Sequence, residues 1–175
     1  MPLRLRYRGY HRFSSNLGNH TMIEIKINNA DEITAKLEQL AQGVERREPL
    51  MRSISGTMYS AVMQNFGDGG RPSWLGPKYR AGKPLIDTGT LRGSISEDSG
   101  NEHAVVGTNL IYAAIHNFGG VIRPKSAKAL AIPTATGVAM VKQVTIPKRE
   151  FMTLTPQDES DIEDDIQTYF QNLIR

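Results

Sequence analysis

The sequence contains no cysteine, which excludes disulfide bonds, thiolate metal sites and thiol nucleophiles. It also lacks any apolar run close to the ~18 residues that a membrane-spanning helix needs, since stretches such as 129–132 are only long enough for a strand. No apolar segment follows the basic residues near the N-terminus, so the pattern of a secretory signal is absent. We therefore expect a protein that is made and used in the cytoplasm.

The composition is typical of a globular protein. Hydrophobic residues make up 39% of the 175 residues and charged residues 22%, a balance that favours a packed core over a disordered chain. A chain of this length accommodates one domain with one core and a terminal arm. We predict a single domain over residues 22–175, preceded by an arm at 1–21.

The positive charge of the chain is concentrated in that arm. The arm contains four arginines and no acidic residue, whereas the whole chain has a formal net charge of +3. Without these four, 17 basic residues remain against 18 acidic ones, so the body has no basic excess. Two interpretations stay open: a basic tail that contacts phosphate or a neighbouring subunit, or a translation start at Met22 that leaves the arm outside the native product. The four arginines are Arg4, Arg6, Arg8 and Arg12.

Apolar periodicity predicts a strand and then two helices. Alternation at 23–27 suits a half-buried strand, and apolar residues at three- and four-residue intervals predict a helix over 31–46. A second helix, capped by Glu48 and begun by Pro49, has an apolar residue at every fourth position, which predicts one buried stripe. The stripe consists of Leu50, Ile54, Met58, Val62 and Phe66.

A glycine cluster at 67–72 ends the second helix and opens a loop that carries Trp74, the only tryptophan. A glycine-rich loop binds phosphate when it follows a strand and ends in Gly-Lys-Ser or Gly-Lys-Thr. This loop follows a helix and lacks that ending. It does not predict nucleotide binding.

Asp87-Thr88-Gly89 matches the signature of aspartic proteases, in which two aspartates share one proton and activate a water molecule. The apolar-apolar-Gly element that supports such a site normally lies far downstream, whereas here it follows at 105–107. Leu91, Arg92 and Ile95 suit a helical turn that is capped by Thr88 and packs its apolar side inward. We predict a local structural role, with proteolysis as a weaker alternative.

His116 falls in a short helix predicted over 112–120. No partner stands at a metal-ligand spacing from it, and an imidazolium near a helix C-terminus interacts favourably with the helix dipole. We predict a structural role for this histidine and no metal site.

Short apolar segments predict strands at 103–108, 121–123, 129–132 and 138–146, separated by proline and glycine. They suggest a small sheet with a long hairpin. The imperfect alternation at 138–146 indicates either a bulge or a hairpin arm that is buried only in an assembly.

A C-terminal helix is predicted to start at Thr155-Pro156, with Asp158 placed to complete a capping box. Six of the eight residues at 158–165 are acidic, which suits the positive end of the helix dipole and solvation. No glycine-turn calcium loop accompanies them. The apolar stripe of this helix is Ile162, Ile166, Phe170 and Leu173 or Ile174.

Five short segments occur in a characteristic order along the chain. They are Gly70–Trp74, Pro84–Ile95, Val106–Thr108, Tyr112–Gly120 and Ile146–Phe151. This ordered set resembles the Mu-like phage virion-morphogenesis, or tail-completion, family over residues 50–175. The sequence departs from the family at Glu150, where Ile-Pro-Lys-Arg-Glu-Phe replaces the usual Ile-Pro-Ala-Arg-Pro-Phe.

The resemblance implies an α+β fold, in which a small antiparallel or mixed sheet with a long hairpin packs against two or three helices, including the C-terminal one. It implies a structural, non-enzymatic subunit that forms a ring in tail completion or head–tail joining. The alternative is a minor tail or adaptor protein elsewhere in the neck. A DNA-binding protein is a weaker alternative, because the body lacks a basic face.

Ring subunits meet through heterologous contacts, for which the loop at 70–74 and the hairpin at 121–146 are candidates. The candidate interface or lumen residues are Arg71, Trp74, Arg92 and Arg149, with core packing as the alternative for Trp74. We expect further copies of the chain as partners, together with tail tube, terminator or head–neck proteins and transient contact with genomic DNA. No cofactor, metal or membrane contact is predicted, and the expected location is the virion, after assembly in host cytoplasm.

Overall fold

The computed structural model describes residues 29–78, 80–134 and 137–175. The basic arm at 1–21 and the strand predicted at 23–27 lie outside these described residues. Helix α1 spans Ala30–Glu45, within one residue of the predicted bounds at each end. Asp31 and Glu32 lie in its first turn, where negative charge is stabilised by the helix dipole.

Helix α2 spans Glu48–Asp68. The predicted cap at Glu48 is wrong, because Arg47 is the cap residue and Glu48 is already helical. Its carboxylate still suits this position, since it lies at the positive end of the helix dipole. Gly69 caps the C-terminal end of the helix, and its φ of 76° belongs to the left-handed region that glycine adopts without steric cost.

The core forms around the C-terminal half of α2. The predicted stripe is confirmed, with Val62 and Phe66 buried in the central cluster. The ring of Phe66 lies 5.2 Å from that of Phe151 and 5.9 Å, in a T-shaped arrangement, from that of Trp74, measured between centroids. Because each aromatic side chain removed from water contributes about 1.5–3 kcal/mol, this cluster is a main source of stability.

A short helix and a hairpin complete this core. Helix α3 spans Thr90–Gly93, and strands β1 (Ile95–Ser99) and β2 (Ala104–Thr108) pair antiparallel. The predicted helical turn is confirmed, and its Leu91 is buried as expected. Ile95, however, belongs to β1, a strand that the sequence did not predict.

The predicted cap of this turn is also corrected. Gly89, with a φ of 82°, is the cap residue of α3 instead of Thr88. The Thr88 hydroxyl still accepts a hydrogen bond from the Thr90 N–H, at 3.4 Å. The side chain thus satisfies one backbone donor of the first turn from one position further upstream.

The remaining strands form separate pairs. Helix α4 (Ala113–Phe118) leads into β3 (Gly120–Ile122), and β4 (Leu130–Thr134) and β5 (Gly137–Val141) form a hairpin before β6 (Val144–Ile146). β6 returns to pair with β3, so the continuous strand predicted over 138–146 is in fact two strands with different partners. The α+β class is confirmed, with the strands distributed over three antiparallel pairs in the described residues.

Helix α5 spans Pro156–Leu173 and packs along α2. The predicted capping box is present, with the Thr155 hydroxyl accepting from the Asp158 N–H and the Asp158 carboxylate accepting from the Thr155 N–H at 2.7 Å. Two hydroxyls of α2 donate to Asp165, and the Tyr169 hydroxyl lies 2.9 Å from the carbonyl oxygens of Gly43 and Arg46. These bonds join α1, α2 and α5 into one helical layer.

Gly119 connects α4 to β3 in a conformation that requires glycine. Its φ of 72° and ψ of 176° lie in a region open almost only to glycine, and a Cβ there would lie 2.8 Å from the backbone nitrogen of Lys148.

We expect Gly119→Ala to lower the free energy of unfolding by at least about 1–3 kcal/mol, measured by urea denaturation. Gly67→Ala is the control, because a Cβ there would meet no atom within 4 Å apart from its chain neighbours and its own helix backbone, and it should stabilise by about 0.4–1 kcal/mol. Equal effects of the two substitutions would contradict the argument.

Candidate functional site

A cleft of about 630 Å³ opens between the segments at 75–78 and 80–91, helix α4 and the segment at 144–149. Its walls combine apolar side chains with charged and hydroxyl groups. The apolar part comes from Leu75, Leu85, Leu91, Tyr112 and Ile146, and the polar part includes Arg80, Asp87, Thr88, His116 and Arg149. Such a mixture is suited to binding a ligand, since the apolar surface can bury it and a few polar contacts can fix its orientation.

Backbone pairing fixes the position of the charged wall. The N–H of Arg149 donates to the carbonyl oxygen of His116 at 2.9 Å, and the Asn117 side-chain oxygen accepts from the N–H groups of Phe151 and Met152 at 3.1 and 3.0 Å. Asn117 is itself buried. The C-terminal end of α4 is therefore bound to the chain after β6, which sets Arg149 next to His116.

Arg149 is a buried cation. Only 7% of the residue is exposed, and its guanidinium donates from Nε to the carbonyl oxygen of Leu75 at 2.8 Å and from Nη2 to that of Gly76 at 3.1 Å. Burial, and then the positive charge of Arg80, lower the pKa of Arg149. Arg149 forms no ion pair with an acidic side chain among the described residues.

His116 lies against the same wall. Its ring meets that of Tyr112 in a T-shaped contact at 6.1 Å, and its buried Nδ1 has no hydrogen-bond partner in the described part of the chain. Burial, and then the charge of Arg149, lower the pKa of His116. The favourable imidazolium at a helix end, on which the sequence argument relied, is therefore opposed here, and the neutral imidazole is favoured.

Arg71 stands away from the cleft, in an internal network. Its guanidinium pairs bidentately with Asp158 at 3.0 and 2.9 Å, donates from Nε to Asn65 at 2.8 Å, and reaches the carbonyl oxygen of Ala61 at 2.9 Å and the Gln64 side chain at 3.1 Å. Five donor positions are thus used within the chain. An interface or lumen role for Arg71 stays a prediction, and what the structure assigns to it is the attachment of the 69–72 turn to the start of α5.

The other predicted site residues are dispersed. Trp74 packs partly buried against the core, which agrees with the alternative given for it, while Arg92 is exposed on α3. Asp87 lies exposed at the rim of the cleft. The structure therefore brings Arg149, but not the other three predicted residues, into the cleft.

Two buried asparagines are functional parts of the framework that the sequence argument missed. Asn65 is fully buried and donates to the carbonyl oxygens of Phe151 and Thr153 at 3.0 and 2.9 Å, while Asn117 accepts from the same segment. For Asn65, the sequence does contain a signal of burial, because this polar residue directly precedes Phe66 of the apolar stripe. A buried polar group must find partners, and these two find them in the non-repetitive segment before α5.

The described residues contain no group of three or more His, Cys, Asp or Glu side chains that could hold a metal ion, and none of their helices is long and apolar enough to cross a membrane.

Comparisons with known proteins cover most of the chain. The model of the phage virion morphogenesis family matches residues 28–171. The chain is 54% identical over 154 residues to the Mu-like prophage FluMu G protein 2 of Haemophilus influenzae strain Rd, an alignment that covers 88% of this chain and 100% of that protein. No solved structure matches the chain.

Proposed function

Because the chain belongs to the phage virion morphogenesis family, we propose that it is a ring-forming subunit that completes the tail or joins it to the head of a Mu-like phage or prophage. Its role in the virion is structural, and it needs surfaces through which identical copies and neighbouring virion proteins meet. Ring closure requires two different surfaces on each copy, since each subunit contacts the next through a heterologous interface.

The β4–β5 hairpin supports this proposal most strongly. Residues on one face of it, paired as Ala131 with Met140 and Pro133 with Val138, are all apolar and exposed. Val138 and Met140 keep 67% and 66% of their surfaces exposed, and neither strand pairs with any third strand among the described residues. A two-stranded hairpin is only marginally stable in water, and an apolar outer face on it is costly unless another surface covers it.

A second exposed apolar surface lies around α4. Ile111, two residues before this short helix, is 97% exposed, and Phe118, its last residue, is 71% exposed. In an assembly, such exposed apolar side chains are available to pack against a neighbouring subunit. The hairpin and the α4 surface are therefore two candidate faces for the two sides of a subunit contact.

The proposal includes the place of the ring and its partners. We propose that the subunit assembles in host cytoplasm, becomes part of the virion, and contacts tail tube, terminator or head–neck proteins. Genomic DNA that passes through such a ring would meet only weak, salt-dependent phosphate contacts, because tight binding would obstruct ejection. Sequence-specific DNA binding of high affinity, insensitive to salt, would argue against this arrangement.

We expect Val138→Ser combined with Met140→Ser to reduce self-association while leaving the monomer folded. The reason is that both side chains are exposed in the monomer, so replacing them removes apolar surface from a contact and not from the core. Light scattering across a concentration series, with negative-stain imaging of the particles, measures the effect. Val105→Ser is the control, because Val105 is also an exposed apolar strand residue but lies on β2. Unchanged association in the double variant would remove the hairpin from the proposed interface.

A further inference from the structure

The guanidinium of Arg149 is buried but has no negatively charged partner among the described residues. Burying a charge is costly unless an opposite charge compensates it, and buried arginines are normally paired with carboxylates. Arg149 is 7% exposed, yet its two hydrogen bonds go to neutral carbonyl groups of the 75–76 loop. Its Nη1 group forms no hydrogen bond with the described residues, and Arg149 lines the cleft.

The surroundings of Arg149 do not supply the missing negative charge. Arg80 adds a second guanidinium to the wall, whose own bonds are to the carbonyl oxygens of Ala81 and Lys83. Asp87 also lines the cleft, but it forms no ion pair with either arginine in the described structure. The lining of the cleft therefore contains three cationic side chains, Lys78, Arg80 and Arg149, against one carboxylate, that of Asp87, together with the hydroxyls of the 88–90 turn. This positive excess is a suitable environment for a further carboxylate.

The same chain carries an unmatched negative surface on the first half of α5. Asp158 and Asp165 point into the protein, where Arg71 and the hydroxyls of Ser53 and Thr57 bind them. The other four acidic residues of the run are exposed, and none forms an ion pair in the described structure. They are Glu159, Asp161, Glu163 and Asp164.

We propose that this acidic surface of α5 on one copy docks at the arginine cleft of the next copy, and that a carboxylate from α5 completes the site around Arg149 and Arg80. The proposal deepens the ring assembly proposed above and rests on it. Each copy would use two different surfaces, a cleft and a helix, so the contact is heterologous and can repeat around a ring. Complementary charge also selects the register and suppresses wrong contacts between apolar surfaces.

Charge reversal tests the contact from both sides. Arg80→Glu and, separately, Glu163→Lys with Asp164→Lys should each weaken self-association on the order of tenfold or more, and the triple variant that combines them should recover it. Arg80 is chosen because Arg149 also holds the 75–76 loop. Arg52→Glu is the control, since it reverses an exposed charge on α2 outside the cleft. Equal association of all variants, or no recovery in the triple variant, would overturn the proposal.

Cross-linking separates this proposal from ring formation itself. The chain has no cysteine, so Thr145→Cys at the cleft and Ser160→Cys on α5 can be mixed and joined by a short bismaleimide. We expect a heterodimer band that Arg80→Glu abolishes. Rings without this band would overturn the docking while leaving the assembly, and a band from protein that never forms rings would support the docking but not the ring. Duplex DNA binding that Arg80→Glu abolishes, with no band, would assign the cleft to phosphate instead and overturn the proposal.

Discussion

Arg71→Met is expected to lower the free energy of unfolding by about 3–5 kcal/mol, because it leaves a buried carboxylate without its partner. The Arg71 side chain is 18% exposed and that of Asp158 only 6%, so water cannot replace the lost guanidinium. The substitution also removes a donor from Asn65, which is fully buried. Urea denaturation at neutral pH measures the loss.

The effect should depend on pH. Burial by itself raises the pKa of Asp158, but hydrogen bonds from Thr155 and Arg71 and the charge of Arg71 more than offset it and hold this pKa below its ordinary value. A carboxyl group with a lowered folded-state pKa stabilises the protein above its unfolded-state pKa of about 3.9, and this contribution is lost as pH falls through the folded-state pKa. The difference between wild type and Arg71→Met should therefore be largest near neutral pH and shrink below about pH 4.

Arg52→Met is the matched control for this prediction. Arg52 also bonds a carboxylate, that of Glu48 at 2.8 Å, but both side chains are largely exposed. Exposed pairs four residues apart on a helix contribute only about 0.3–0.5 kcal/mol. Similar losses for the two Arg→Met variants, or a loss for Arg71→Met that is the same at low pH, would show that the buried pair does not act as argued.

Phe66→Ala is expected to cost about 3–5 kcal/mol, because it empties the centre of the core. Phe66 is fully buried and its ring contacts those of Phe151 and Trp74. The cavity left by the ring would also change the environment of Trp74, the only tryptophan, so its fluorescence reports both the native packing and the unfolding transition.

Phe118→Ala deletes the same atoms from a side chain that is 71% exposed. Measured on dilute protein, where self-association does not contribute, this variant should stay within about 0.5 kcal/mol of wild type. A large loss in Phe118→Ala, or a small one in Phe66→Ala, would mean that the core is centred elsewhere.

The helices were predictable because their signals are local. The spacing of apolar residues and the positions of capping and turn residues predicted the bounds of α1, α2 and α5 to within a few residues. The capping box of α5 was predicted directly from Thr155 and Asp158. β1 was missed because it reads Ile-Ser-Glu-Asp-Ser, with only Ile95 buried, so its pairing with β2 and not its own pattern makes it a strand. The split of 138–146 likewise depends on β3, a partner distant in sequence.

The candidate site was predictable only in part. Arg149 was identified from its place in a motif, but most of its neighbours in the cleft come from two distant segments that only the fold brings together. Arg71 was named for an exposed role, whereas its partner Asp158 lies 87 positions away along the chain. A single sequence shows where each arginine stands along the chain. Which acidic residue pairs with it depends on the tertiary structure.

Pro133 makes the two free edges of the β4–β5 hairpin different in their hydrogen-bonding groups. Proline has no N–H, and it fits into a paired strand when the side that lacks the donor faces away from the partner strand. The free edge of β4 therefore lacks one donor, while β5 contains no proline and presents a full set. A strand from another chain can extend the hairpin along β5 but is interrupted along β4. We therefore expect that any strand added by another chain would pair along β5 and not along β4, which would limit open-ended growth into fibrous aggregates.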